Sequence, residues 1–241
     1  LKTSNGYFFG SEVKFVESLI QKKLDVDLDK LKEFIVLGHK AVYKDDRLFF
    51  KDLLEVKPGE NLIIKDSNFK KYLYWSPKLN IDNTKNRKYY VEQTKINLIE
   101  SLELRMRADV PISFCLSGGI DSGSLVSIAS KVLNRKVHTF SIVDSDERYN
   151  VKDQIDTVVA DTGCENIKVR LKNSDYFEHF LELSKYRNFP IATCSYFVHS
   201  LLTKEIKKKG FKIGISGVGA DEIFTGYFDH FCFHLLHLKL K

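Results

Sequence analysis

Pro111-Ile112-Ser113-Phe114-Cys115-Leu116-Ser117-Gly118-Gly119-Ile120-Asp121-Ser122, with Leu125-Val126-Ser127-Ile128-Ala129 behind it, reads as strand, anion-binding loop and helix. The run Ile112 to Leu116 is apolar and follows a proline that cannot donate to a ladder, which predicts a short buried strand. Two adjacent glycines then permit positive φ and let a ligand approach bare backbone. A helix from about Ser122 aims its unpaired N–H groups and positive dipole end into that loop. Gly-Gly alone would serve equally well as a tight turn, with Asp121 and Ser122 as caps. The complete string asks for more. Ser117 and Ser122 add hydroxyl donors for phosphate oxygens, while Asp121 would repel a bare phosphate and so implies a divalent cation between them. Magnesium nucleotide is the ligand this arrangement predicts.

No G-x-x-x-x-G-K-[ST] occurs, and no G-x-G-x-x-G follows a predicted strand. Ser117 to Ser122 instead resembles the S-G-G-x-D-S pyrophosphate-binding loop of the ATP pyrophosphatases, which release pyrophosphate and make an adenylate. A second stretch, Gly214-Ile215-Ser216-Gly217-Val218-Gly219-Ala220-Asp221-Glu222, again runs from a strand into a glycine-rich loop and then into acids. Asp221 and Glu222 could simply occupy a helix N-terminus. Set across the same sheet edge as the first loop, Asp221 is placed to share a magnesium with Asp121.

Ahead of these loops, Gly6 to Glu12 reads as a strand ending in glycine, with Ser11 capping a helix that carries Val13, Val16, Leu19 and Ile20. A second helix runs from about Leu28 to Leu37 and stops at Gly38. Pro58-Gly59 turns into the strand Asn61 to Ile64, and Tyr72 to Trp75 partners it. The polar tract from Pro77 to Lys88 is the linker candidate. Tyr89 to Ala108 predicts a long amphipathic helix. Beyond the Ser117 loop come the strand Val137 to Val143, the helix Val151 to Asp161 and the strand Ile167 to Leu171. The helices Tyr176 to Ser184 and Tyr196 to Lys209 follow, then the strand Phe211 to Ile215. Such alternation predicts an α/β fold, its parallel strands joined by right-handed crossovers and its ligands at their carboxyl ends.

With 241 residues, 43% of them hydrophobic and 29% charged, the chain has the composition of a soluble globular protein. Its net charge of +6 is spread along the sequence, which favours anionic small molecules over nucleic acid as partners. Cys115, Cys164, Cys194 and Cys232 form no C-x-x-C pair and are expected to be free thiols in a cytoplasmic protein. No apolar run approaches the ~18 residues of a membrane span. The seven histidines show no ligand spacing; His230, His234 and His237 share a helical repeat without carboxylates on the same face.

In order, Phe8-Phe9-Gly10-Ser11-Glu12-Val13-Lys14, Lys57-Pro58-Gly59, Tyr74-Trp75, Asp109-Val110-Pro111 and the two loops resemble the asparagine synthetase (glutamine-hydrolysing) family. The resemblance implies that residues 1–76 are the C-terminal part of a class II glutamine amidotransferase (Ntn-type) domain. Residues 77–88 would be a linker, and 89–241 the N-terminal part of a parallel-sheet ATP-pyrophosphatase synthetase domain (adenine nucleotide alpha hydrolase-like). By the same match, backbone groups of Leu116, Ile142, Ser216 and Gly217 hold adenine and ribose. Ser117, Gly118, Gly119, Asp121 and Ser122 hold the pyrophosphate, and Asp121 and Asp221 bind Mg2+ and serve catalysis.

The implied activity is ATP-dependent amidation of a carboxylate, aspartate above all, with ammonia or glutamine as nitrogen donor and AMP and pyrophosphate released. Two alternatives stand beside it, a relative acting on another carboxylate such as a surface-polysaccharide sugar acid, and a non-catalytic ATP-binding fragment. Homodimerisation is left open. Three departures from the family pattern matter. Position 1 is Leu where the amidotransferase domain begins with a nucleophilic Cys, so the expectation is an incomplete chain without glutaminase activity. The chain ends at Lys241, inside an apolar segment that is expected to be the next helix. Val218 stands where the second loop of the family, S-G-E-G, carries a glutamate, and a valine cannot transfer a proton.

Overall fold

The computed structural model describes residues 1–65, 68–78, 80, 82, 84–144, 146, 148, 150–171 and 176–239. In chain order the elements begin with β1 (Lys2–Thr3), β2 (Gly6–Tyr7), α1 (Val13–Ile20), α2 (Leu28–Leu37), β3 (Glu60–Lys65), β4 (Asn68–Leu73) and α3 (Arg87–Arg105). They continue through β5 (Ile112–Cys115), α4 (Ile120–Ser127), β6 (His138–Val143), α5 (Lys152–Thr162), β7 (Glu165–Arg170) and α6 (Tyr176–Arg187). The last are α7 (Ser195–Lys208), β8 (Ile213–Ile215), α8 (Ala220–Phe224) and α9 (Phe228–Lys239). Two compact units emerge, Leu1–Asp82 with Ser174–Phe197, and Asn83–Asn173 with Val198–Lys241. Of the tract read as a linker, Leu79, Ile81 and Asn83 lie outside the described residues, as does Leu240 at the end of the last apolar segment.

In the first unit, α1 buries Val13 and Val16 against Leu53, with Phe8, Leu24, Leu48 and Phe189 around them. Ser11 does not cap this helix. Glu12 is the N-cap, in extended backbone and without a side-chain cap bond, because its carboxylate is taken by Lys14 at 2.6 Å. The second helix runs from Leu28 to Leu37 and ends at Gly38, as predicted, with Asp27 receiving the N–H groups of Asp29 and Lys30. Its one buried side chain is charged: Lys30 is 0% exposed and bonds Asp45 at 2.9 Å. The Arg47 guanidinium, and then Lys30, hold the Asp45 carboxyl well below the usual carboxylate range. Stripping a buried cation of its partner typically costs ~3–5 kcal/mol, so this pair fixes where the 45–47 turn sits on α2. The strands β3 and β4 form an antiparallel hairpin with Glu60 opposite Leu73 and Lys65 opposite Asn68.

The second unit holds a four-stranded sheet of order β7-β6-β5-β8, and every neighbouring pair in it is parallel. This is the α/β arrangement that the alternation of strand and helix predicts. Side chains alternate across the sheet. Phe114 and Leu116 join Val126, Ala129 and Ile155 on one face, while Phe140 meets Leu202 and Ile206 of α7 on the other. Phe140 is fully buried, a placement that stabilises by about 1.5–3 kcal/mol. The segment between β7 and α7 behaves differently from a crossover on this sheet. It clusters with the first unit, where Phe189 packs edge-on against Phe49 with ring centroids 5.6 Å apart. Periodicity alone does not say which surface a helix packs on. Among the described residues no helix is long and apolar enough to cross a membrane.

Candidate functional site

Since β5 and β8 are neighbours, with Phe114 opposite Ile215, the loops that leave their carboxyl ends come together. A Cβ built on Gly217 would lie 3.0 Å from the Cβ of Asp121 and 3.0 Å from the backbone N of Ser122. The second loop thus rests directly on the start of α4. Gly217→Ala should push these loops apart, at a cost of about 1–3 kcal/mol for overpacking. Thermal unfolding should show a melting point lower by several degrees; an unchanged value would mean the contact is slack.

The helix α4 begins at Ile120, two residues earlier than expected, because Gly119 in extended backbone serves as its N-cap. Asp121 and Ser122 therefore stand in the first turn, beside N–H groups that have no intrahelical acceptor. Gly118 has φ +79°, and a Cβ there would sit 3.1 Å from Gln154 Cβ. Both facts require glycine. Ser122 is 4% exposed; its hydroxyl accepts from the Ser117 N–H at 3.1 Å and lies 3.2 Å from the Gly119 carbonyl. Ser117 Oγ is 2.9 Å from it. Ser122 therefore braces the loop, and Ser117, which is exposed, is the hydroxyl able to turn outward.

Eight of the anticipated residues line one cavity of about 540 Å³: Leu116, Ser117, Asp121, Ser122, Ile142, Ser216, Gly217 and Asp221. Gly118 and Gly119, in the same loop, are not among its lining residues. The Asp221 carboxylate packs where a Cβ on Gly226 would otherwise be. Glu222 turns away from the cavity and accepts a hydrogen bond from Tyr227 Oη at 2.6 Å. That bond holds the Glu222 carboxyl below its ordinary value and pushes the Tyr227 phenol up. Burial raises the Cys115 thiol, which leaves it a packing group in the wall.

Sequence reasoning missed Asp144, Leu171, Val198, His199 and Leu202, all of which line the same cavity. Asp144 was within reach, since it directly follows the strand ending at Val143. His199 and its neighbours were not, because they enter only through the way α7 crosses the sheet.

Magnesium is the cation the loops imply, and the donor set fits it. Asp121 and Asp221 line one cavity, and neither carboxylate has a hydrogen-bond or ion-pair partner among the described residues. No group of three or more His, Cys, Asp or Glu that could cage a metal occurs among the described residues. Two carboxylates without a full protein cage suit magnesium, which keeps water and takes phosphate oxygens for the rest of its shell.

A parallel sheet with two glycine-bearing loops meeting over a cavity at its carboxyl edge belongs to the α/β class that binds ligands at that edge. Residues 93–240 match the asparagine synthase family, and the chain belongs to that family. Asparagine synthetase (glutamine-hydrolyzing) 1 of Bacillus subtilis (strain 168) is 29% identical over 91% of this chain and 34% of its own length. Asparagine synthetase (glutamine-hydrolyzing) 3 of the same strain is 26% identical over 94% of this chain and 38% of its own. This chain therefore spans less than half the length of the curated relatives it matches. Among solved structures, NH3-dependent NAD synthetase from Campylobacter jejuni subsp. jejuni NCTC 11168 in complex with the nitrate ion has a TM-score of 0.35 at 17% identity, over 54% of this chain and 56% of that one.

Proposed function

We propose that the cavity binds ATP and that the protein amidates a carboxylate, aspartate being the first candidate, through an acyl-adenylate with release of AMP and pyrophosphate. The observation that carries this reading is the meeting of the Ser117 and Ser216 loops, with Asp121 and Asp221 in one cavity. On this reading the first-turn N–H groups of α4 and the Ser117 hydroxyl cradle the phosphates, and the helix dipole favours their charge. Ile142, Leu171 and Val198 offer an apolar wall for the base. Asp121 and Asp221 would hold magnesium, which when bound offsets the charge that develops on the leaving pyrophosphate. Closing the cavity to water protects the adenylate until ammonia arrives.

In this proposal residues 1–76 are the tail of a glutamine-dependent amidotransferase domain and 77–88 its linker to the synthetase domain from 89 onward. The relatives named as glutamine-hydrolysing asparagine synthetases support that organisation. The protein is expected to release pyrophosphate from ATP only when a carboxylate substrate is supplied, and to turn over repeatedly only when ammonia is supplied as well. Pyrophosphate release independent of any carboxylate would overturn the reading. A second substrate is favoured by Val218, which is 76% exposed and lines the cavity with no proton to accept or give. The amidated group would then be a carboxylate other than that of aspartate.

A further inference from the structure

Across the carboxyl edge the strand order β8, β5, β6, β7 spaces three acids unevenly. Asp221 and Asp121 follow β8 and β5, and Asp144 follows β6 on the far side of the glycine loop. All three line the same cavity, yet only the first two are placed for phosphates and their metal. Adjacent strands lie about 4.8 Å apart. With the apolar wall of Ile142, Leu171 and Val198 on the β6 side of the cavity, a nucleotide whose phosphates rest on the Ser117 loop and whose base lies on that wall carries its sugar to the end of β6. An unscreened carboxylate there would repel phosphate, whereas it is a strong acceptor for a vicinal diol.

Asp144 Oδ1 accepts the Asp146 N–H at 2.9 Å, which fixes the side chain, and Oδ2 has no partner among the described residues. In other parallel-sheet nucleotide sites an acid about 20 residues past the glycine loop, at the end of the next strand, accepts the ribose 2′-hydroxyl. We infer that Asp144 reads the ribose of the nucleotide held in this cavity and makes the site selective for ribonucleotides. This rests on the ATP reading above and adds a specificity residue to it. Lys152 and Arg170 share an adjoining hollow of about 270 Å³ with Asp144, so pairing with one of them is the competing role for its free oxygen.

The test is a calorimetric cycle on the 241-residue chain with Mg-ATP and Mg-2′-deoxy-ATP. A hydrogen bond to a charged group corresponds to roughly tenfold to a hundredfold in affinity, so the parent should prefer ATP by about that factor. Asp144→Ala should lose the same factor for ATP and bind both nucleotides alike. Asp144→Asn, which keeps the acceptor for the Asp146 N–H, should fall between. Equal weakening of both nucleotides by Asp144→Ala would mean a structural role, such as pairing with Arg170, and would overturn the inference. So would a parent that does not discriminate, or a variant that discriminates as well as the parent does. Should Asp144→Ala prove poorly folded in thermal unfolding, the Asn variant decides by the same comparison. A parent that binds neither nucleotide would instead sink the ATP reading itself.

Discussion

Asp121→Ala should abolish magnesium-dependent ATP binding while leaving the fold intact. The carboxylate stands in the first turn of α4, half-buried, and has no protein partner among the described residues to lose. Its removal therefore costs little in stability. In binding, the loss falls on the charge bridge between the protein and the phosphates. Such a bridge is worth several kcal/mol, on the order of a thousandfold in Kd. The sign reverses without the metal: a carboxylate beside bare phosphate is repulsive, so the Ala variant should bind metal-free ATP no worse than the parent. Calorimetry with and without magnesium gives both numbers. If the variant binds Mg-ATP as tightly as the parent, the phosphates lie elsewhere.

Val218→Glu should raise the rate of aspartate-dependent asparagine and pyrophosphate formation. Ammonia attacking an acyl-adenylate must shed a proton, and a positioned acid–base group contributes typically ~10²–10⁴-fold. Val218 offers nothing for that step. Glu222, the neighbouring acid, is committed to Tyr227 at 2.6 Å and is held below its ordinary value, which makes it a weaker base. Since Val218 is 76% exposed, the glutamate can be introduced with little effect on folding, typically within ~0.5 kcal/mol. The rate with aspartate should rise by one order of magnitude or more. Robust asparagine synthesis by the Val218 form, with no gain from glutamate, would remove the case for another substrate and leave aspartate as the substrate of the reaction.

These two positions also separate what each level of description could reach. The two loops were legible in the sequence because their meaning is local. Gly118 must adopt φ +79°, the residues after it must open a helix, and an acid in that first turn requires a cation if phosphate is bound. The parallel sheet followed from strands alternating with helices, and α2 followed from its apolar spacing and Gly38. The local reading of Ser11 was off by one residue: the helix opens at Val13, so Glu12 and not Ser11 stands at the N-cap position.

What the sequence by itself determined was thus the presence of a glycine loop between a buried strand and a helix, along with the family resemblance that Ser117 to Ser122 and Ser216 to Tyr227 carry. Tertiary structure decided which residues share a cavity. Gly217 is glycine because Asp121 and Ser122 stand 3.0 Å from its missing Cβ, a contact between positions nearly a hundred residues apart that no periodicity encodes. Asp144 and His199 reach the cavity by the strand order β7-β6-β5-β8 and the packing of α7 on Phe140. Strand order and helix docking arise from burying side chains far apart in the chain, and that is a property of the folded whole.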